Sequence, residues 1–191
     1  RVAPLVYQSR NWKHGVYVGA TVASETTAAA TGKTGIVRRD PMAMLPFCGY
    51  DMGNYFKHWL DMGARMKEPP KIFCVNWFRK DTAGNILWPG FGENLRVLQW
   101  ILGRAEGDLQ AVDSPIGFLP RPEDIDLAGI DVTKEKLAEV LSVDRGDWIE
   151  EVKSQNEFFE KIGKTFPAEI RDEQKDLLAR LTAPERDKPT P

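Results

Sequence analysis

The stretch from Ile72 to Leu102 constrains the fold most, because three kinds of local signal follow one another there without a spacer. Ile72 to Phe78 (IFCVNWF) is β-branched and aromatic and predicts a strand. Asp81-Thr82-Ala83-Gly84-Asn85 carries turn chemistry and leads as a hairpin into Ile86-Leu87-Trp88. Pro89-Gly90-Phe91-Gly92 then interrupts regular structure. A helix is expected from Glu93 to Leu102, with Gly103 as its stop. Strand, hairpin and helix packed this closely predict a mixed α/β fold.

The flanking sequence extends the same pattern. Val16-Tyr17-Val18 and Ile36-Val37 read as strands flanked by glycines. Tyr50 to Met66 predicts a helix, since Met52, Tyr55, Phe56, Trp59, Leu60 and Met62 recur mostly at helical spacing. Beyond Ala105 the character changes. Pro115, Pro120 and Pro122 mark loops, and helices are expected near Thr133–Val143, Asp147–Lys161 and Pro167–Leu181. The expected organisation is a first region over 1–104, holding a small sheet with helices, a helical region over 105–182, and a charged, proline-bearing flexible tail over 183–191.

Composition excludes some partners. A formal net charge of −2 gives no electrostatic case for nucleic acid or an anionic membrane. No apolar run approaches the ~20 residues needed to span a bilayer. Cys48 and Cys74 form no CxxC pair, and each reads as a small buried hydrophobe in a reduced, cytoplasmic setting. His14 and His58 have no metal-ligand spacing with Cys, Asp or Glu, and read as structural. The sequence opens Arg1-Val2-Ala3-Pro4 without a Met, and is expected to belong to a longer chain.

Val75 to Asn94 is where chemistry concentrates. Trp77, Phe78, Trp88 and Phe91 fall within fifteen residues. Gly90 and Gly92 let backbone approach a ligand and deliver free amides to a helix N-terminus. Aromatic faces beside free amides and the Asn94 side chain suit a flat heterocycle. The same spacing also suits four aromatics packed as core, with the glycines merely shaping a turn.

The strings NWFRKD and LWPGFGEN, at this separation, resemble the purine-binding segment of GTP-dependent phosphoenolpyruvate carboxykinases. The resemblance implies a guanine sandwiched by the rings of Phe78 and Phe91, with Phe91, Gly92, Glu93 and Asn94 as the nucleotide-binding string and Asn94 reading the guanine edge. Ile86 stands where the vertebrate pattern has a third Phe. It can pack on the purine but forfeits a ring–ring contribution of ~0.5–1.5 kcal/mol. The bound nucleotide would be GTP or GDP.

Ser24 to Gly35 (SETTAAATGKTG) contains GKT, but a phosphate loop needs glycine where Thr27 stands. The small residues suit a loop that orders over a ligand and excludes water, or a plain surface loop. HGVYVGATVASETTAAA resembles the family's lead into its active-site lid, which implies a lid over Thr27, Ala28, Ala29, Ala30, Thr31, Gly32, Lys33, Thr34 and Gly35. The DPMAMLPFCGY run also resembles the family. The preceding Arg38-Arg39 suits either phosphate binding or a structural role.

By resemblance, the phosphate loop, the ligands of Mn²⁺ or Mg²⁺ and the substrate-binding arginines lie upstream of Arg1. This stretch then holds no catalytic and no metal residue, and has no carboxykinase activity alone. Its expected partners are a guanine nucleotide and the upstream part of the same enzyme. Two other readings remain at this stage: a stand-alone purine-nucleotide module without catalysis, and a helical interaction domain with Leu177, Leu178 and Leu181 as an exposed stripe.

Overall fold

The structure, a computed structural model, describes residues 2–25 and 37–184. Among the described residues, six strands and six helices run in the order β1 (Val6–Gln8), α1 (Trp12–Ala20), β2 (Ala23–Glu25), β3 (Val37–Arg39), α2 (Met52–Arg65), β4 (Phe73–Val75), α3 (Asn94–Glu106), β5 (Val112–Ser114), β6 (Gly117–Leu119), α4 (Lys134–Leu141), α5 (Arg145–Ile162) and α6 (Ala168–Thr182). Short 3₁₀ turns sit at Pro41–Ala43, Phe91–Glu93, Pro122–Asp124 and Gly163–Thr165. The main sheet is antiparallel in the order β4-β1-β6-β5, and β2 and β3 form a separate two-stranded ribbon. The fold is mixed α/β, as expected.

Four local expectations are corrected. Val16-Tyr17-Val18 is helix, not strand, because it lies inside α1. The side chain of Asn11 accepts from the His14 amide and starts this helix. Since α1 is buried on most sides, its apolar run carries no visible helical period. Gly103 does not stop α3. The helix runs on to Glu106 and ends at Gly107 in the left-handed region, φ 94°. Gly103 instead admits Leu109, whose Cδ1 would lie 2.7 Å from a Cβ placed there. Strand IFCVNWF shortens to Phe73–Val75. Ile86-Leu87-Trp88 makes one isolated bridge, Lys80 to Ile86, rather than a strand.

Helices dominate the second half, which adds the β5–β6 hairpin to the sheet. The expected helices there appear with caps at Thr133 and Asp144, whose side chains accept from the Lys136 and Asp147 amides. Leu177 and Leu181 are buried, and Leu178 packs against the same core, so the exposed stripe required of a helical interaction domain is not there.

Two apolar clusters flank the sheet. One gathers α1, α2, α5 and α6 around Tyr17, Phe56, Phe159, Ile170 and Leu177. The other gathers Leu5, Val6, Trp88, Val97, Trp100, Leu137 and Val140. Truncating a buried aromatic such as Trp88 to Ala removes about 3–5 kcal/mol.

His14 is 1% exposed, its Nδ1 accepting the Arg10 amide at 3.0 Å. Burial first, then the charges of Arg180 and Arg10, push its pKa down from 6.5 to about 3. The unfolded chain therefore binds the extra proton between those values. The stabilisation is complete above pH 6.5 and is lost as pH falls toward 3. Between pH 7 and 5 we expect this residue to cost the fold about 2 kcal/mol. Urea midpoints at the two pH values should show a slope that His14→Gln flattens.

Candidate functional site

The hairpin is built from its turn outward. The Asp81 carbonyl accepts from the Gly84 amide at 3.0 Å, and the Asp81 amide donates to the Asn85 carbonyl at 2.9 Å. The Asp81 carboxylate accepts from the Asn85 amide and Nδ2 at 2.8 and 3.1 Å. These bonds, the Asn85 side chain foremost, hold its pKa below the usual carboxylate range. Asn76 and Arg79 fix the preceding loop. Asn76 Nδ2 donates to the Ala3 carbonyl at 2.7 Å, and its Oδ1 accepts from the Phe78 amide at 3.2 Å. The Arg79 guanidinium donates to the Val140 and Ser142 carbonyls and to Ser142 Oγ, closing the end of α4. Between these two anchors, the Phe78 ring stands 71% exposed.

The aromatics divide by type. Trp88 is 1% exposed and Trp77 packs against its cluster, so the tryptophans are core. Phe78 and Phe91 stand in solvent, Phe91 at 95% exposure, and Ile86 is half exposed. The core reading therefore describes Trp77 and Trp88 but not Phe78 and Phe91.

Pro89 to Gly92 explains how Phe91 reaches solvent. Gly90 has φ 79° and ψ −166°, a conformation essentially confined to glycine. Phe91 follows with φ 46°, which costs a side-chain residue on the order of 1–2 kcal/mol. A Cβ placed on Gly92 would meet nothing within 4 Å, so packing within the chain does not require glycine there. The loop enters α3 through its amides. Glu93 donates to the Gly90 carbonyl, and Asn94 to those of Gly92 and Phe91. Among the described residues, no backbone bond uses the amides of Phe91 or Gly92.

Asn94 and Glu93 are held differently from what the sequence suggests. Asn94 Oδ1 accepts from Trp88 Nε1 at 3.0 Å. An indole N–H only donates, so this bond fixes the orientation of the Asn94 amide and leaves its NH₂ for another acceptor. The Glu93 carboxylate pairs with Arg96 Nε at 2.6 Å. Arg96 in turn donates to the Asp126 and Ala128 carbonyls, tying the head of α3 to the 126–128 loop. Sequence reasoning missed Trp88 and Arg96 as the two residues that hold this string. Their only signal was an indole six residues, and a guanidinium two residues, from Asn94.

The lid expectation, Thr27 to Gly35, lies outside the described residues. What is described is its base. Ala23, Ser24 and Glu25 pair with Arg39, Arg38 and Val37. Arg39 donates to Glu151 Oε1 and Ser154 Oγ at 2.5 Å each and to the Thr21 carbonyl at 3.0 Å. It is a tie between the ribbon and α5 rather than a free cation. Arg38 is more exposed and pairs with Asp40 at 3.4 Å. In the run that follows, Met42 and Ala43 both adopt positive φ, at 52° and 53°, and Phe47 and Tyr50 stand exposed.

A cleft of about 480 Å³ lies elsewhere, between Trp12, Lys57, Leu60, Gly63, Pro69 and Glu169. None of the sequence-predicted site residues lines it. Among the described residues, no three His, Cys, Asp or Glu side chains are grouped to hold a metal ion. No helix among them is long and apolar enough to cross a membrane. Both cysteines are free and partly buried.

Comparison with known proteins points one way. A family model described as the phosphoenolpyruvate carboxykinase C-terminal P-loop domain matches residues 1–180. Phosphoenolpyruvate carboxykinase (GTP) of Anaeromyxobacter dehalogenans strain 2CP-1 is 54% identical over 180 residues, 94% of this chain and 30% of the relative. The proteins of that name from Renibacterium salmoninarum and Treponema pallidum are 49% and 47% identical, over 93% and 95% of this chain. The chain spans about 30% of the length of the curated relatives it matches.

Proposed function

Since the chain belongs to the GTP-dependent phosphoenolpyruvate carboxykinase family and matches its C-terminal P-loop domain, we propose that residues 78–94 form the guanine pocket of such an enzyme. The observation that carries this reading is Phe91. Its ring is 95% exposed on a backbone with φ 46°. Among the described residues this exposed ring on a costly backbone packs on nothing, and strain of this kind gathers at ligand sites. A purine laid on that ring would meet the unpartnered amides of Phe91 and Gly92 and the NH₂ of Asn94, all donors, and so presents its acceptors to them. Phe78 supplies the second ring, and Ile86 an aliphatic wall in place of a third. Glu93 contributes its place in the backbone, its carboxylate being held by Arg96.

The complete enzyme would convert oxaloacetate and GTP to phosphoenolpyruvate, GDP and carbon dioxide, a step suited to gluconeogenesis. Loss of carbon dioxide leaves an enolate, whose oxygen takes the γ-phosphoryl group. Thr27 to Gly35 would close over that enolate and keep water from protonating it. The family resemblance carries this lid assignment, and the anchored β2–β3 ribbon gives such a segment a fixed base. The Mn²⁺ or Mg²⁺ that the resemblance implies finds no ligand set among the described residues, so no step is assigned to it. The cytoplasm is the compartment the reading favours.

Competition binding to the full-length enzyme tests the pocket. GTP is expected to bind at least about tenfold more tightly than ATP, because donors placed for one purine edge are left unpaired by the other. Equal affinities would remove the guanine assignment while leaving family membership intact.

A further inference from the structure

Eleven large hydrophobic side chains stand exposed among the described residues, and all of them fall between Leu45 and Val112. Three are Leu95, Leu98 and Leu102 on α3, at 59%, 43% and 57% exposure. Their i, i+3, i+7 spacing sets them in one line along the helix. Gln99, on the same side, adds no charge. The opposite face of α3 carries Val97 and Trp100, both fully buried, with Trp100 edge-on to Phe73 at 5.9 Å. Thus α3 is apolar on two opposed faces and covered on one. A helix of that kind belongs between two layers.

The sheet beneath α3 is open as well. Asn76 donates to the Leu5 carbonyl and Ser9 to that of Ile72. By antiparallel alternation, the backbone groups of Phe73 and Val75 in β4 then point away from β1. No described backbone bond satisfies them. Unpaired edge groups of this kind are a template for a further strand.

We propose that the leucine line of α3 is covered, in the intact protein, by the remainder of the same polypeptide. The relatives are about three times as long as the matched region, 30% of their length being covered. Three leucines and a glutamine fall well short of the ~800 Å² per partner that separate molecules need for a stable association. A covalently continuous partner avoids that requirement, because its effective concentration is fixed by the chain. The proposal rests on family membership and not on the guanine pocket.

Thiol accessibility in the full-length protein tests it. Leu98→Cys and Leu102→Cys are compared with Lys153→Cys on α5, where the native side chain is 60% exposed. Labelling of the native Cys48 and Cys74 is subtracted using the unsubstituted protein. Maleimide labelling at 98 and 102 is expected to be at least about tenfold slower than at 153, since it must wait for local opening. The protection should persist on dilution from micromolar to nanomolar protein. Labelling as fast as at 153 overturns the proposal. Protection that vanishes on dilution also overturns it, by assigning the face to a second copy. Should the cysteine variants not fold, hydroxyl-radical footprinting of the unsubstituted protein decides. Oxidation of the three leucines at the rate of an unstructured peptide would then count against the covered face.

Discussion

Phe91→Ala in the full-length enzyme is expected to weaken GTP by about 5- to 150-fold, while oxaloacetate affinity changes little. The range corresponds to the ~1–3 kcal/mol that one aromatic ring contributes when a base stacks on it. Stability should be nearly untouched. The ring is 95% exposed, so truncation opens no cavity, and the residue that remains keeps the same positive φ. Phe91→Gly sharpens the test, because glycine adopts φ 46° without strain. It should lose GTP as alanine does and melt no lower than the parent. Titration of each ligand separately, with thermal unfolding in parallel, gives the three readouts. Equal losses for GTP and oxaloacetate would mean that the ring supports the whole active site rather than the base.

Asn94→Asp is the second large effect, on the order of 100-fold in GTP affinity with little change in stability. An aspartate still offers an oxygen to Trp88 Nε1, 3.0 Å away in the parent, so the indole stays satisfied. A carboxylate also suits the head of α3, where the helix dipole is positive. It cannot supply the amide donors that face outward, and it sets an acceptor against an acceptor of the base. Asn94→Ala removes both functions. It should add a folding cost of ~1–3 kcal/mol from the buried indole N–H left without a partner. Isothermal titration with GTP and urea unfolding of the two variants separate the roles. An aspartate variant that binds GTP like the parent would take Asn94 out of the pocket.

How much could be read from the sequence depends on how local the deciding physics was. α2 was legible because Phe56 and its helical neighbours alternate with charged positions on one amphipathic element, and Asp51 caps it locally. α1 was not, because a helix buried on most sides shows an apolar run without period. Asn11, three residues before His14, was the overlooked cap. β1 was missed because three residues, Val6 to Gln8, carry no pattern of their own. They become a strand by lying between partners from residues 73–75 and 118. The β5–β6 hairpin was hidden behind Pro115, which sits in its two-residue turn. In the candidate site, the residue types were legible and their division was not. Which rings face water depends on the glycine-only backbone of Gly90 and on the core that encloses Trp88, and neither is a property of the string itself.

The position of β1 at the centre of the sheet bears on biosynthesis. Its register partners are Phe73 to Val75 on one side and Phe118 on the other, so the earliest strand of this segment is completed by one made about 110 residues later. At about 5–20 residues per second, a ribosome takes roughly 5–20 seconds to deliver that partner. Throughout this interval Val6 and Tyr7 must be kept from rival strands. Pairings so distant along the chain also close slowly. The central strand of this segment is thus without its second partner until the 112–119 hairpin has been made.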